Sequence, residues 1–230
     1  MNEHNKIINA VAKNVLAPHG LFRQGASRVW LQDNGYYITQ VEFQPSRWSK
    51  GSYLNVGISF LWESTEGLNS VLAFNFGYRV NGIFFVDYTG DDVRFEKEIQ
   101  NLAQKSLGKV IEYEKFRDLE YAKKALVKGE KNPLWQDYDL IMLCFLKGDF
   151  TEGLKLFNNF LDNFKKKFWE GEHYVEWRET FYNHCTEVLL PQCNSKENAK
   201  KMVCDMIQRR RDFFNTKPSF KKLQKEPVLF

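Results

Sequence analysis

The sequence predicts an α+β fold: an antiparallel β-sheet of about five strands flanked by helices, followed by a C-terminal helical bundle. Two changes of period carry that expectation. Apolar residues recur at helical spacing in the first 16 positions, alternate with polar ones between Arg28 and Tyr88, and return to helical spacing from Asp91. With 43% hydrophobic residues in a chain of 230, there is enough apolar surface for a sizeable core.

Ile7, Ile8, Val11 and Val15 share one face of a helix expected over Glu3 to Leu16, which Pro18-His19-Gly20 ends. Arg28 to Gln32 and Tyr36 to Phe43 read as strands joined across Asp33-Asn34-Gly35, because Asn-Gly accepts the positive φ angles of a tight hairpin turn. The clearest alternation runs from Tyr53 to Trp62, with Leu54, Val56, Ile58, Phe60 and Trp62 on the core face. Leu72, Phe74 and Phe76 repeat it against Val71, Ala73 and Asn75, and Ile83 to Tyr88 follows the Asn81-Gly82 turn. Asp91 and Asp92 suit a helix start, since their carboxylates accept hydrogen bonds from first-turn amides, and Phe95, Ile99, Leu102 and Ala103 then line one side. Another helical stretch spans Lys115 to Lys128.

Beyond Pro133 the pattern is helical throughout. Leu134, Tyr138, Ile141 and Phe145 make one stripe, and Leu154, Phe157, Leu161, Phe164 and Phe168 the next. Between them Gly148 is placed to take the left-handed conformation that ends a helix, and Asp149 with Glu152 resembles a capping box. Tyr174, Trp177, Phe181, Cys185 and Val188 predict a helix ended by Pro191. Ser195 caps a last one with Ala199, Val203, Met206 and Ile207 inside. Two prolines and alternating lysines predict an extended or frayed tail from Asn215. The expected organisation is an α+β domain over 1–128, a helical region over 134–214 and a tail over 215–230, with 129–133 as linker or loop.

Charge and motif spacing exclude several functions. The 33 basic and 29 acidic residues leave a net charge of +4, too mild for a dedicated nucleic-acid binder. Local clusters therefore matter more than the total. Arg209, Arg210 and Arg211, with Lys200 and Lys201, form the one dense basic patch and the alternative site for nucleic acid. Cations late in a helix also complement its negative end. Cys144, Cys185, Cys193 and Cys204 lack metal-site spacing, and the four histidines lie far apart, so no metal and no cofactor are expected. No glycine-rich phosphate loop is present. Without a signal-like segment or a run of about 20 apolar residues, the expected location is cytoplasmic, with reduced thiols and no membrane partner. No catalytic residue is assigned. Asp87, Asp91 and Asp92, where a strand gives way to a helix, carry the alternative of a metal-dependent hydrolase or nuclease, although helix capping already explains two of them.

The segment from Gln40 to Gly57 holds the candidate binding site. Gln44, Ser46, Arg47 and Asn55 are expected near one another at the sheet margin beside Trp48, combining a forked cation, amides and a hydroxyl that suit an anion or a peptide. A polar network bracing an irregular loop is the competing reading. The same stretch carries a family resemblance: LAPHGLFRQG (Leu16 to Gly25), Trp30, QVEFQPSR (Gln40 to Arg47) and YLNVGI (Tyr53 to Ile58) resemble the bacterial family called domain of unknown function 4304 over residues 6–128. The chain departs from that pattern at Leu21, which separates Gly20 from Phe22. The resemblance implies a bacterial cytosolic protein with a helix-flanked antiparallel sheet, and no activity. The leading functional expectation is a non-enzymatic protein-binding module whose partner is another protein. The style of the family suggests a toxin-immunity or defence-associated role.

Overall fold

A computed structural model of the chain describes residues 2–62, 72–80, 82, 84–128, 133–166 and 176–224. Expectations placed on Val71, Asn81, Ile83, the break at 129–132, the Leu134 side chain, Phe168, His173 and Tyr174 lie outside the described residues. The fold is α+β, with an antiparallel sheet and helices following it. The chain divides into two compact units, one of Met1–Ser59, Val71–Lys115 and Phe214–Lys225, the other of Phe60–Ser70, Phe116–Phe213 and Glu226–Phe230.

The first unit opens with α1 (Glu3–Leu16), which buries Ile8, Val11, Ala12 and Val15. Strands β1 (Phe22–Arg23), β2 (Val29–Asp33), β3 (Tyr37–Gln44), β4 (Gly51–Phe60) and β5 (Phe76–Arg79) follow in sheet order, and the short β6 (Val86–Asp87) pairs with the start of β4. Helix α2 (Asp92–Glu114) packs against α1 and across β3 and β6. Its start is capped as the sequence predicts, with Asp91 Oδ1 accepting from the Arg94 amide at 3.0 Å. One face of the sheet meets α2 through polar bonds at its rim. Tyr37 Oη donates to the Tyr113 carbonyl at 2.8 Å, and Gln32 Nε2 donates to Glu114 Oε1 at 2.7 Å.

Three expectations for this unit change. The β2–β3 connection is the three-residue segment 34–36, in which only Gly35 is left-handed (φ 84°) while Asn34 is not. The Asn34 amide instead donates to the Tyr37 carbonyl and its side chain to Thr39 Oγ1, both at 3.0 Å. The alternation over Leu72 to Phe76 does not make a strand before Phe76. Residues 72–75 pass over the second face of β3 and β4, where buried Gln40 donates to the Leu72 and Ala73 carbonyls at 3.1 and 3.3 Å. Side chains have taken the backbone acceptors a ladder would need, and β4 is buried on both faces. The tail is docked through Gln224, not frayed. Phe220 stacks on Phe214 with centroids 4.3 Å apart, Leu223 is buried, and the Gln224 amide donates to Asp33 Oδ2 at 2.9 Å.

The second unit holds α3 (Leu119–Lys128), α4 (Pro133–Lys147), α5 (Phe150–Phe164), α6 (Glu176–Asn183) and most of α7 (Lys196–Asn215). Helix α4 packs on both α3 and α5. Gly148 takes the left-handed conformation (φ 90°), and its amide and that of Asp149 return to the Cys144 carbonyl at 3.0 and 2.9 Å. The capping box does not form, because ion pairs with Lys123 and Lys147 hold the Asp149 carboxylate away from the α5 amides. Helix α6 continues into a π-helical stretch, His184–Leu189, before the turn at Pro191. Ser195 caps α7 by accepting from the Asn198 amide at 3.1 Å. Trp62, with Phe60 stacked on it at 4.5 Å, belongs to this unit, and its Nε1 donates to Asp139 Oδ1 at 2.8 Å where both residues are buried.

Candidate functional site

The predicted site residues fall into two groups, one on strands β3 and β4 and one in the turn between them. Gln44 and Asn55 come together: Asn55 Nδ2 donates to Gln44 Oε1 at 3.1 Å and to Glu42 Oε2 at 2.7 Å. The cation that joins them is Arg79, not Arg47. Pairing of β4 with β5 sets Arg79 opposite Asn55, where its Nε donates to Asn55 Oδ1 at 2.9 Å and its Nη2 to Gln44 Oε1 at 2.6 Å. The guanidinium lies 4.1 Å from the Tyr53 ring centroid, a cation–π stack that fixes its plane. Each of these polar groups bonds to another member, so the network braces the sheet. Sequence reasoning missed Arg79 because its register against β4 follows from where β5 begins.

Ser46, Arg47 and Trp48 stand apart from that network in the turn 45–50. Ser46 Oγ accepts from the Trp48 amide at 3.0 Å and the Ser49 amide at 3.3 Å, which closes the turn locally. Its base is tied to the neighbouring strands, since the Tyr88 amide donates to the Lys50 carbonyl and Arg28 Nη1 to the Gly51 carbonyl, both at 2.8 Å. Arg28 Nη2 also donates to Asn5 Oδ1. On this anchored turn the Trp48 indole is 93% exposed, between exposed Arg47 and the exposed pair Ser49 and Lys50. Burial, and then Arg28 and Lys50, hold His4 below its usual pKa and so favour its neutral form.

The alternative sites resolve differently. Asp91 caps α2, Asp92 Oδ1 accepts from Tyr88 Oη at 2.6 Å, and Asp87 is exposed on β6. In the basic triplet, Arg209 is exposed but Arg210 and Arg211 are 1% and 0% exposed. Their positions on α7 turn them to the interior, so the triplet is not a surface patch. Among the described residues one cluster has the donors for a metal ion: Cys144, Asp149 and Glu152, whose ligand atoms lie within 4.8 Å of one another. Lys123 Nζ already donates to Asp149 Oδ2 at 2.8 Å and Glu152 Oε2 at 2.6 Å, and Lys147 to Asp149 at 2.8 Å. Burial pushes the Cys144 thiol up to about 11, which keeps it protonated at neutral pH. The ammonium groups supply the positive charge there, and the donor set does not fit a metal.

The fold and site together define an α+β protein with an anchored aromatic turn on its sheet. The chain matches none of the models of known protein families, none of the curated proteins and none of the solved structures against which it was compared. No helix among the described residues is long and apolar enough to cross a membrane.

Proposed function

We propose that the chain is a non-enzymatic protein-binding module of the bacterial cytosol that engages its partner through the β3–β4 turn. One observation carries this reading: an indole 93% exposed on a turn held at its centre by Ser46 and at its base by Arg28 and Tyr88. A Trp left in water gains nothing from folding, whereas Trp and Arg are the residue types most often dominant in interfaces. A rigid turn also loses little conformational entropy on binding. With Arg47 and Lys50 beside it, the turn suits an apolar pocket rimmed by acidic side chains. The resemblance over residues 6–128 implies no activity, and the toxin-immunity or defence role rests on the style of that family alone.

The engagement of Asp91 and Asp92 within their own helix start, and the burial of Arg210 and Arg211, leave the hydrolase and nucleic-acid readings without a comparable observation. The test is capture of partners by wild type and by Trp48→Ala and Arg47→Ala, each checked for an unchanged melting temperature. A co-purifying protein whose retention falls at least about tenfold in both variants supports the reading, since tenfold corresponds to about 1.4 kcal/mol. Equal retention by all three removes it.

A further inference from the structure

A cleft of about 360 Å³ opens in the first unit between the end of α1, β1, β2 and the docked tail. Ala10, Ala17, Leu21 and Phe22 give it apolar walls, and Trp30 lines it from β2. Three cations reach it from three different parts of the chain: Lys13 on α1, Arg23 on β1 and Lys222 in the tail. No carboxylate is among its lining residues. Arg23 is held in place, with Nε and Nη2 donating to the Ser27 and Ala26 carbonyls at 2.6 Å each. The Lys13 and Lys222 side chains make no hydrogen bond or ion pair among the described residues.

Trp30 supplies a second, independent observation. The residue is 4% exposed, and its indole Nε1–H is buried without a hydrogen-bond partner. A buried donor left unmade is unfavourable, and native structures rarely retain one without cause. An acceptor brought into the cleft would relieve it.

From these observations we propose that the cleft binds a small amphipathic anion, a medium-chain or aryl carboxylate, independently of the β3–β4 turn. The apolar body fills the space between Leu21, Phe22 and Trp30, and the carboxylate sits among the three cations. The volume lies at the lower end of the range for small-molecule sites, about 300–1,000 Å³, which favours a single short chain or one ring system over a large ligand. The charge pattern disfavours a cationic occupant: Lys13, Arg23 and Lys222 line the cleft, and no carboxylate is among its lining residues.

Isothermal titration of the full chain with decanoate, decanol and inorganic phosphate tests the proposal. Decanoate is expected to bind at one site, at least about tenfold more tightly than either of the other two. Lys13→Gln and Lys222→Gln, both at exposed side chains, are expected to weaken decanoate about tenfold when combined, with melting temperatures compared to wild type. Trp30→Phe removes the donor and leaves a smaller aromatic ring, so decanoate is expected to bind more weakly than to wild type. Equal affinities for decanoate and decanol, or a double lysine variant that binds decanoate as wild type does, would overturn it. So would the absence of heat with all three probes.

Discussion

At the residue scale, stability rests on a few buried polar pairs whose removal has a definite sign. The Trp62 indole donates to Asp139 in a buried setting, so Asp139→Ala leaves the N–H unmade and is expected to cost about 2 kcal/mol in urea unfolding. The Asp149 carboxylate sits between Lys123 and Lys147, and hydrogen bonds from both hold its pKa below the usual 3.8. A group with a depressed folded pKa stabilises above its unfolded value and loses that contribution as the pH falls through the folded one. Asp149→Asn is therefore expected to lower stability by about 1 kcal/mol at neutral pH. The gap from wild type should close as unfolding curves are taken below pH 3.8. A gap that persisted in acid would show that the ion pairs are not its source. Lys123 responds at the other end of the scale: burial lowers its pKa, but the bonds to Asp149 and Glu152 outweigh burial and raise it. Its contribution is thus complete below its unfolded value and fades only in strong alkali.

At the element scale, α4 and α5 approach so closely that Gly153 is required by space. A Cβ there would stand 2.7 Å from Phe145 Cε1 and 2.8 Å from Cδ1, against a ring buried in the core. Gly153→Ala gains about 1 kcal/mol of helix propensity but overpacks the contact by about 1–3 kcal/mol, so the expected melting temperature is lower than that of wild type. Elements with strong periodicity were legible from sequence. Helix α1 ends where Pro18 and Gly20 require, and Asp91 and Ser195 cap the helices they precede. What the pattern hid was competition for backbone groups. Residues 72–75 alternate like a strand, yet Gln40 and Ser59 bind the Leu72 and Ala73 carbonyls, and the strand itself is Phe76–Arg79. The arginine of the polar network was hidden for the same reason: the register that brings Arg79 to Asn55 follows from where β5 begins. The lysines and prolines of the tail predict fraying. Two apolar side chains of its described part, Phe220 and Leu223, dock it by being buried.

At the scale of the whole molecule, the tail links sequence ends that no local pattern connects. Phe220 is fully buried against Phe214, and Phe220→Ala is expected to cost about 3–5 kcal/mol in chemical denaturation. A loss near zero would mean the tail contributes little to its unit. The turn and the cleft both lie in the unit that holds the sheet, so both functional claims concern that one unit. The central claim is that the β3–β4 turn is a recognition surface and not merely a well-braced loop. The most direct measurement is hydrogen–deuterium exchange of the chain with and without its captured partner, in wild type and in Trp48→Ala. The account predicts protection confined to residues 45–50 and their flanking strand ends in wild type, and its loss in the variant. Protection elsewhere, with the turn exchanging at the same rate bound and unbound, would contradict it.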